Sequence, residues 1–102
     1  METFGSALKG YRRALAWSQE RVAAMSGVDL ALVSRLESGQ RNPTHDNLAK
    51  LAEALGLPDK DRDYLYLVAG FVPPDVPTAA LRALLAAYRV AASAAEGEER
   101  AA

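Results

Sequence analysis

Apolar residues recur along this chain at helical intervals. Two apolar faces follow from a spacing of three and four residues: Phe4, Leu8, Tyr11 and Leu15, and later Leu48, Leu51, Ala52 and Leu55. Alanine and leucine dominate, and no segment alternates β-branched with polar residues as a half-buried strand would. The pattern predicts an all-α fold.

Capping residues and glycines divide this pattern into six helices. Four of the five helices after the first are preceded by a good N-cap residue. These residues are Ser18, Asp29, Thr44 and Thr78. Glycines that can end a helix follow the second, third and fourth: Gly27, Gly39 and Gly56. The exception is the fifth helix, which begins at Asp59 and has a predicted apolar face of Leu65, Leu67 and Val68.

The chain is long enough for one domain with a small addition. Three of the five prolines fall in residues 72–77, which predicts a stiff linker. We therefore expect a helical domain at 1–71, the linker at 72–77 and a C-terminal helix at 78–95. Residues 96–102 are rich in alanine and glutamate, and we expect them to form a disordered tail.

Candidate chemistry is sparse. The chain has no cysteine, which excludes disulfides, thiolate zinc sites and a cysteine nucleophile. His45, the only histidine, has no partner at ligand spacing, so no metal or other cofactor is expected. No nucleophile–base arrangement or glycine-rich phosphate loop supports an enzyme. With no leader sequence and no membrane span in sight, we expect a cytoplasmic protein.

The net charge of −1 hides an asymmetry between the two halves of the chain. Residues 1–50 carry seven Lys/Arg against five Asp/Glu, a net of +2, whereas residues 51–102 carry five against eight, a net of −3. Binding to a polyanion requires a basic surface locally, not a basic total. The charge is therefore compatible with DNA binding without demonstrating it.

Several short motifs in the first half of the chain occur together. They are SQERVA at 18–23, SGV at 26–28, VSRLESG at 33–39, RNP at 41–43 and LAKLAEALG at 48–56. Together they resemble the Cro/repressor (XRE-type) helix-turn-helix family over roughly residues 4–70. The resemblance implies a five-helix repressor-like DNA-binding domain, to which this chain adds a sixth helix. The third helix would then enter the major groove.

The resemblance places the base-reading positions on one face of the third helix: Leu30, Ala31, Ser34 and Arg35. Arg35 can donate two hydrogen bonds to O6 and N7 of a guanine, the commonest specific contact to DNA. The alternative is that Arg35 pairs with an acidic residue on the protein surface.

Leu30 and Ala31 depart from the family pattern, which more often has polar residues there. Apolar side chains in the major groove can contact thymine methyl groups. Alternatively, Leu30 packs on a neighbouring helix or contributes to a protein-binding surface. Ala16 departs as well, because the family commonly has glycine at this helix end.

Four residues are assigned to DNA phosphates: Gln19, Gln40, Arg41 and Asn42. Gln19 lies in the first turn of the second helix, where free backbone N–H groups favour an anion, and the other three follow the third helix. Lys9 and Arg13 could extend this basic rim. The family resemblance also implies a structural ion pair between Arg12 and Glu37. Asp29 is assigned to helix capping alone, because a carboxylate near DNA repels it.

The expected function is that of a transcriptional regulator, a repressor that binds an inverted repeat in double-stranded DNA as a homodimer. A dimer seam is predicted on the sixth helix: Leu81, Leu84, Leu85 and Tyr88. This helix could instead fold back on its own domain. Other classes stay open, namely the antitoxin of a toxin–antitoxin pair, a module that binds another regulator protein, and a fragment of a longer regulator. No membrane partner is expected.

Overall fold

The computed structural model describes the backbone of residues 2–101 and the side chains of residues 2–91. Within this part the chain is all-helical, which confirms the predicted fold class. The helices are α1 (Phe4–Ala14), α2 (Gln19–Ser26), α3 (Leu30–Ser38), α4 (His45–Leu55), α5 (Asp59–Val68) and α6 (Thr78–Ala101).

Helices α1 to α5 share one hydrophobic core. Its largest fully buried side chains come from all five: Leu8, Val22, Val33, Leu36, Leu48, Leu51 and Leu65. The predicted face of α4 is buried throughout, whereas the predicted face of α1 is buried at Phe4 and Leu8 but not at Leu15. Leu15 lies beyond the last residue of α1, where the helical period no longer determines which way a side chain points.

The predicted apolar face of α5 is partly wrong. Leu67 is exposed and Tyr66 is buried in its place. The Tyr66 ring packs edge-to-face against His45 at the start of α4, with ring centroids 5.9 Å apart, and Phe71 packs on His45 from 5.5 Å. Contacts with residues that are distant in sequence therefore determine which side chain of α5 is buried. The hydrophobicity of the side chain alone does not.

Two of the four predicted caps form the expected hydrogen bond. Ser18 accepts from the Arg21 N–H at 3.1 Å, and Thr44 accepts from the Asn47 N–H at 3.1 Å. Asp29 occupies the N-cap position of α3 but makes no capping hydrogen bond with its side chain, and its φ of −57° and ψ of 138° differ from the extended backbone of the other two. Thr78 begins α6 instead of capping it, because the Leu81 N–H already donates to the Pro77 carbonyl.

Ala16 adopts the left-handed backbone conformation, with φ of 58°. It links α1 to α2, and its N–H donates to the Arg13 carbonyl at 2.9 Å. This conformation costs a residue with a β-carbon about 1–2 kcal/mol, a cost that glycine avoids.

We predict that Ala16→Gly stabilises the protein. The relief of strain exceeds the extra entropy of glycine in the unfolded chain, so a net gain of about 0.5–1 kcal/mol is expected, measured by thermal unfolding. Gly56→Ala is the matched control, since Gly56 has φ of 61° and its added β-carbon would meet no other atom within 4 Å. It should lower stability by a similar amount. A lower melting temperature for Ala16→Gly would contradict the prediction.

Helix α6 extends away from the five-helix core. Among the described side chains, Leu84, Leu85 and Tyr88 are exposed, whereas Leu81 is half-buried beside the end of α5. The radius of gyration is 16.9 Å, against about 13 Å for a compact chain of this length. The backbone of residues 96–101, where a disordered tail was expected, belongs to α6, and their side chains lie outside the described part. The predicted domain boundaries stay predictions.

Ion pairs of Arg62 hold the segment between α5 and α6 against α5. Arg62 donates to Asp75 at 2.9 Å and to Asp63 at 3.0 Å. A hydrogen bond from the Tyr11 hydroxyl to Asp61, at 3.2 Å, joins α1 to α5, and burial together with this bond raises the pKa of Tyr11 to about 12. The acidic residues of α5 therefore serve contacts within the protein.

Candidate nucleic-acid interface

Helices α2 and α3 are joined by a short turn with a fixed shape. Gly27 adopts the left-handed conformation, with φ of 76°, and its N–H donates to the Ala23 carbonyl. The Ser26 hydroxyl donates to the Val22 carbonyl at 2.7 Å and accepts from the Val28 N–H at 3.1 Å. Val28 itself is buried in the core. These contacts fix the angle between the two helices of the motif.

The inward face of α3 fixes which residues it presents to solvent. Val33 and Leu36 are fully buried, and α1 approaches α3 so closely that a β-carbon on Gly5 would collide with the Leu36 and Glu37 carbonyls. The four predicted base-reading residues are all exposed on the opposite side: Leu30, Ala31, Ser34 and Arg35. The structure thus brings the four residues together on one surface of α3, and the opposite surface of this helix is packed in the core.

Leu30 does not pack into the core. Its side chain is 40% exposed, and it is absent from the apolar residues that pack against the core, among which Leu32 is found. Arg35 forms no ion pair with any side chain that the structure describes. The structure therefore shows neither Leu30 packed on a neighbouring helix nor Arg35 paired on the surface.

Arg12 and Glu37, the predicted ion pair, lie in contact across α1 and α3. Arg12 Nε donates to Glu37 Oε2 at 2.6 Å, and Nη2 donates to Oε1 at 2.8 Å. Arg12 Nη1 donates to the Trp17 carbonyl at 2.8 Å, so the same guanidinium also holds the segment before α2. The Glu37 side chain is only 4% exposed. The two-pronged contact joins α3 to α1, and the third bond joins the segment before α2 to the same guanidinium.

Glu37 is ionised despite its burial. Burial alone would raise the pKa of its carboxyl group, but hydrogen bonds from Arg12 and Gln19 and the positive charge of Arg12 hold that pKa below its usual value. The hydrogen bond to Glu37 in turn raises the pKa of Arg12. Each charge therefore depends on the other to remain in the interior.

Gln19 has a second role that its sequence position did not indicate. Its amide nitrogen donates to Glu37 Oε1 at 3.2 Å, and the side chain is half-buried. An amide nitrogen carries two hydrogens, so a phosphate contact remains available to the other. Gln19 thus lies at the start of α2, and its hydrogen bond to Glu37 holds its side chain in position.

The other three predicted phosphate residues follow α3 on an ordered loop. Gln40, Arg41 and Asn42 are exposed, and the Gln40 and Arg41 N–H groups donate to the Arg35 carbonyl at 2.9 and 3.3 Å. The next residue, Pro43, is buried and anchors the loop. This arrangement presents Arg41 beyond the C-terminal end of α3.

For one basic residue near the motif, no role was predicted from the sequence. Arg21, in the first turn of α2, lies over the Trp17 ring with 5.4 Å from its guanidinium carbon to the ring centroid. The signal was present, because an aromatic residue and an arginine four positions apart can stack in this way. Arg21 is exposed, as are Lys9 and Arg13, which were expected to form a basic rim.

Metal binding and membrane insertion each require a recognisable arrangement of side chains. Among the described side chains, no group of three or more His, Asp or Glu residues is arranged to hold a metal ion. Within the same part of the chain, no helix combines the length and the apolar character needed to cross a membrane.

Comparisons with known proteins agree with this geometry. A family profile described as helix-turn-helix matches residues 8–61. A transcriptional regulator of Mycobacterium tuberculosis is 33% identical over 93 residues, covering 80% of this chain and 36% of the relative. The repressor RghR of Bacillus subtilis is 41% identical over 59 residues, covering 57% of this chain and 44% of that protein.

The chain thus spans about a third of the length of the mycobacterial relative. A search of solved structures finds no significant match. The matched region contains α2, the turn and α3 in full, and α3 carries the four predicted base-reading residues. The chain belongs to the XRE-type helix-turn-helix family of transcriptional regulators.

Proposed function

We propose that this protein is a repressor that binds an inverted repeat in double-stranded DNA as a homodimer. The observation that carries the proposal is the outward face of α3, where four neighbouring side chains are exposed on a helix held from behind by Arg12 and Glu37. A helix of this length fits the major groove. The name of RghR as a repressor supports the sign of regulation.

Within this face the residues divide by chemistry. Arg35 reads a guanine through its two-pronged donor, and Ser34 donates to or accepts from a base edge. Leu30 and Ala31, with exposed apolar side chains, contact thymine methyl groups. A half-site that contains both guanine and thymine follows from this division.

Phosphate contacts orient α3 in the groove. Gln19 at the start of α2 lies on one side, and Gln40, Arg41 and Asn42 beyond α3 lie on the other. Among these only Arg41 carries a positive charge, so it releases a counterion on binding.

We predict that Arg41→Ala weakens specific and non-specific binding alike. The slope of log affinity against log salt should fall by about one unit per subunit, because one phosphate contact by a cation is lost. Gln40→Ala is the control: its loss weakens binding but leaves the slope unchanged, since a neutral amide displaces no counterion. Gln19 serves less well as a control because it also supports Glu37. An unchanged slope for Arg41→Ala would show that Arg41 does not contact the backbone.

The dimer is part of the same proposal. One short helix touches too few base pairs to be specific at physiological salt, so two copies must be held about one turn of DNA apart, roughly 34–36 Å. The seam proposed on α6 consists of Leu81, Leu84, Leu85 and Tyr88. Support comes from the exposure of the last three.

Selection of bound duplexes from a random pool tests the proposed function. Enrichment of a two-fold-symmetric site is the expected result. If no sequence is enriched while the protein is folded, the proposal fails and a module that binds another protein takes its place, with exposed Leu30 as part of its surface.

A further inference from the structure

Helix α6 is an unusual element because its apolar side chains lie outside the core. It runs from Thr78 to Ala101, 24 residues, and an α-helix of this length is about 36 Å long. Among its described side chains Leu84 is 64% exposed, Tyr88 is 75% exposed and Val90 is 70% exposed. An amphipathic helix gains most of its stability when its apolar face is covered.

We propose that α6 is covered by α6 of a second copy in antiparallel orientation, with Tyr88 close to the two-fold axis. The inference rests on the proposed dimer and adds its geometry. The first support is the distribution of charge along the helix. Residues 78–89 carry Arg82 and Arg89 and no acidic residue, a net of +2, whereas residues 90–101 carry three glutamates and one arginine, a net of −2.

Only one orientation matches these charges. In an antiparallel pair with Tyr88 near the axis, position 82 of each helix lies opposite position 94 of the other, within one turn of Glu96, while Arg89 lies near the axis. A parallel pair would place like charges side by side over the whole contact, which is unfavourable across an interface.

The sizes of the residues determine the register. Large residues occupy the first half of the stripe, and alanines continue it in the second half at 91, 92 and 95. When Tyr88 lies on the axis, positions 81, 84 and 85 fall opposite positions 95, 92 and 91. Each leucine then faces an alanine position, which lets the two helices approach closely and avoids gaps.

This register has a consequence for DNA binding. Residues 78–98 of the two helices overlap, so the points where the two domains leave the pair are about 30 Å apart along the axis, from a rise of about 1.5 Å per residue. That separation is close to one turn of DNA, about 34 Å. The antiparallel pair could therefore set the spacing of half-sites.

The chain has no cysteine, so single cysteines can map the pairing by oxidation. Three variants of the full chain are needed: Tyr88→Cys, Leu81→Cys and Ala95→Cys. A disulfide requires Cα atoms within about 4.4–6.8 Å, whereas the two copies of residue 81 would lie about 21 Å apart along the antiparallel pair. We expect Tyr88→Cys to cross-link to itself, and Leu81→Cys to cross-link only when it is mixed with Ala95→Cys.

A charge variant gives a second measurement that does not depend on Leu81, which is half-buried. Arg82→Glu should weaken the homodimer by about threefold to tenfold, because a glutamate then lies within one turn of Glu96 of the second copy. In a parallel pair this change would replace one repulsion by another and leave dimerisation unchanged.

Each outcome is decisive. A disulfide between two copies of Leu81→Cys would overturn the antiparallel orientation and leave the dimer standing. A dimer in sedimentation that cross-links at none of these positions would overturn the pairing through α6. A monomer in sedimentation that still selects a defined DNA half-site would overturn the dimer and leave the reading of DNA by α3 intact.

Discussion

Replacing Arg12 with methionine will lower the free energy of unfolding by about 3–5 kcal/mol. Glu37 would then be a buried carboxylate without its cation, and its side chain is only 4% exposed. The loss is large for a domain whose total stability is about 5–15 kcal/mol. Urea unfolding followed by fluorescence of Trp17, the only tryptophan, measures the change.

The pH dependence of stability will also change sign. In the native protein the pKa of Glu37 is lowered, so the pair stabilises the fold above the unfolded pKa of about 4.3 and this stability is lost as the pH falls through the lower folded pKa. Without Arg12, burial dominates and the folded pKa rises above 4.3. The deficit of the variant is then smallest in acid and grows as the pH rises through that raised pKa.

Two further variants separate this explanation from a general loss of packing. Arg13→Met removes an exposed arginine next to Arg12 and should change stability little. Arg12→Met combined with Glu37→Leu removes both charges and should recover most of the loss, because no carboxylate remains buried. A double variant as unstable as Arg12→Met would contradict the electrostatic explanation.

The second large effect concerns the dimer. Leu84→Asp or Leu85→Asp should convert the protein to a monomer in sedimentation, because each places a charge in the proposed seam. Affinity for a full palindrome should fall by roughly 10²-fold or more, since the second half-site no longer binds as part of one molecule. Affinity for an isolated half-site should remain close to that of the native protein.

Ala83→Asp is the matched control for these variants. It adds the same charge to an exposed position of α6 on the side away from the stripe. If Leu84→Asp and Leu85→Asp sediment like the native protein, the seam lies elsewhere. If they unfold the five-helix domain, the stripe belongs to the intramolecular core.

Periodicity and turn chemistry were enough to predict most of the fold. The glycines at 27, 39 and 56 do follow helices, and all three adopt left-handed backbone conformations. The inward face of α3 follows from Val33 and Leu36, three residues apart. These features are local, because a few neighbouring residues determine each of them.

The differences at Leu15, Asp29 and Thr78 are local, because each lies at the end of a helix. Other features depend on contacts between residues that are distant in sequence. The exchange of Leu67 for Tyr66 depends on His45, which lies at the start of another helix. The need for glycine at position 5 depends on the carbonyl groups of α3. Neither contact leaves a signal in the period of one helix.

Some contacts of the candidate site were likewise predicted from the sequence, and others were not. The family resemblance was sufficient to predict Arg12 with Glu37, whose atoms lie in contact in the structure. It gave no indication that Gln19 also donates to Glu37, because that contact depends on where α2 lies against α3. The DNA contacts themselves stay predictions.

The most direct test of the reading face compares the native protein with Arg35→Ala on the selected site and on every single base-pair variant of it. If α3 reads bases, Arg35→Ala should cost about 1–3 kcal/mol on the selected site and remove the preference at one guanine per half-site, with other positions unchanged. An equal loss on all sequences would contradict this account, because Arg35 would then contact the phosphate backbone and not a base.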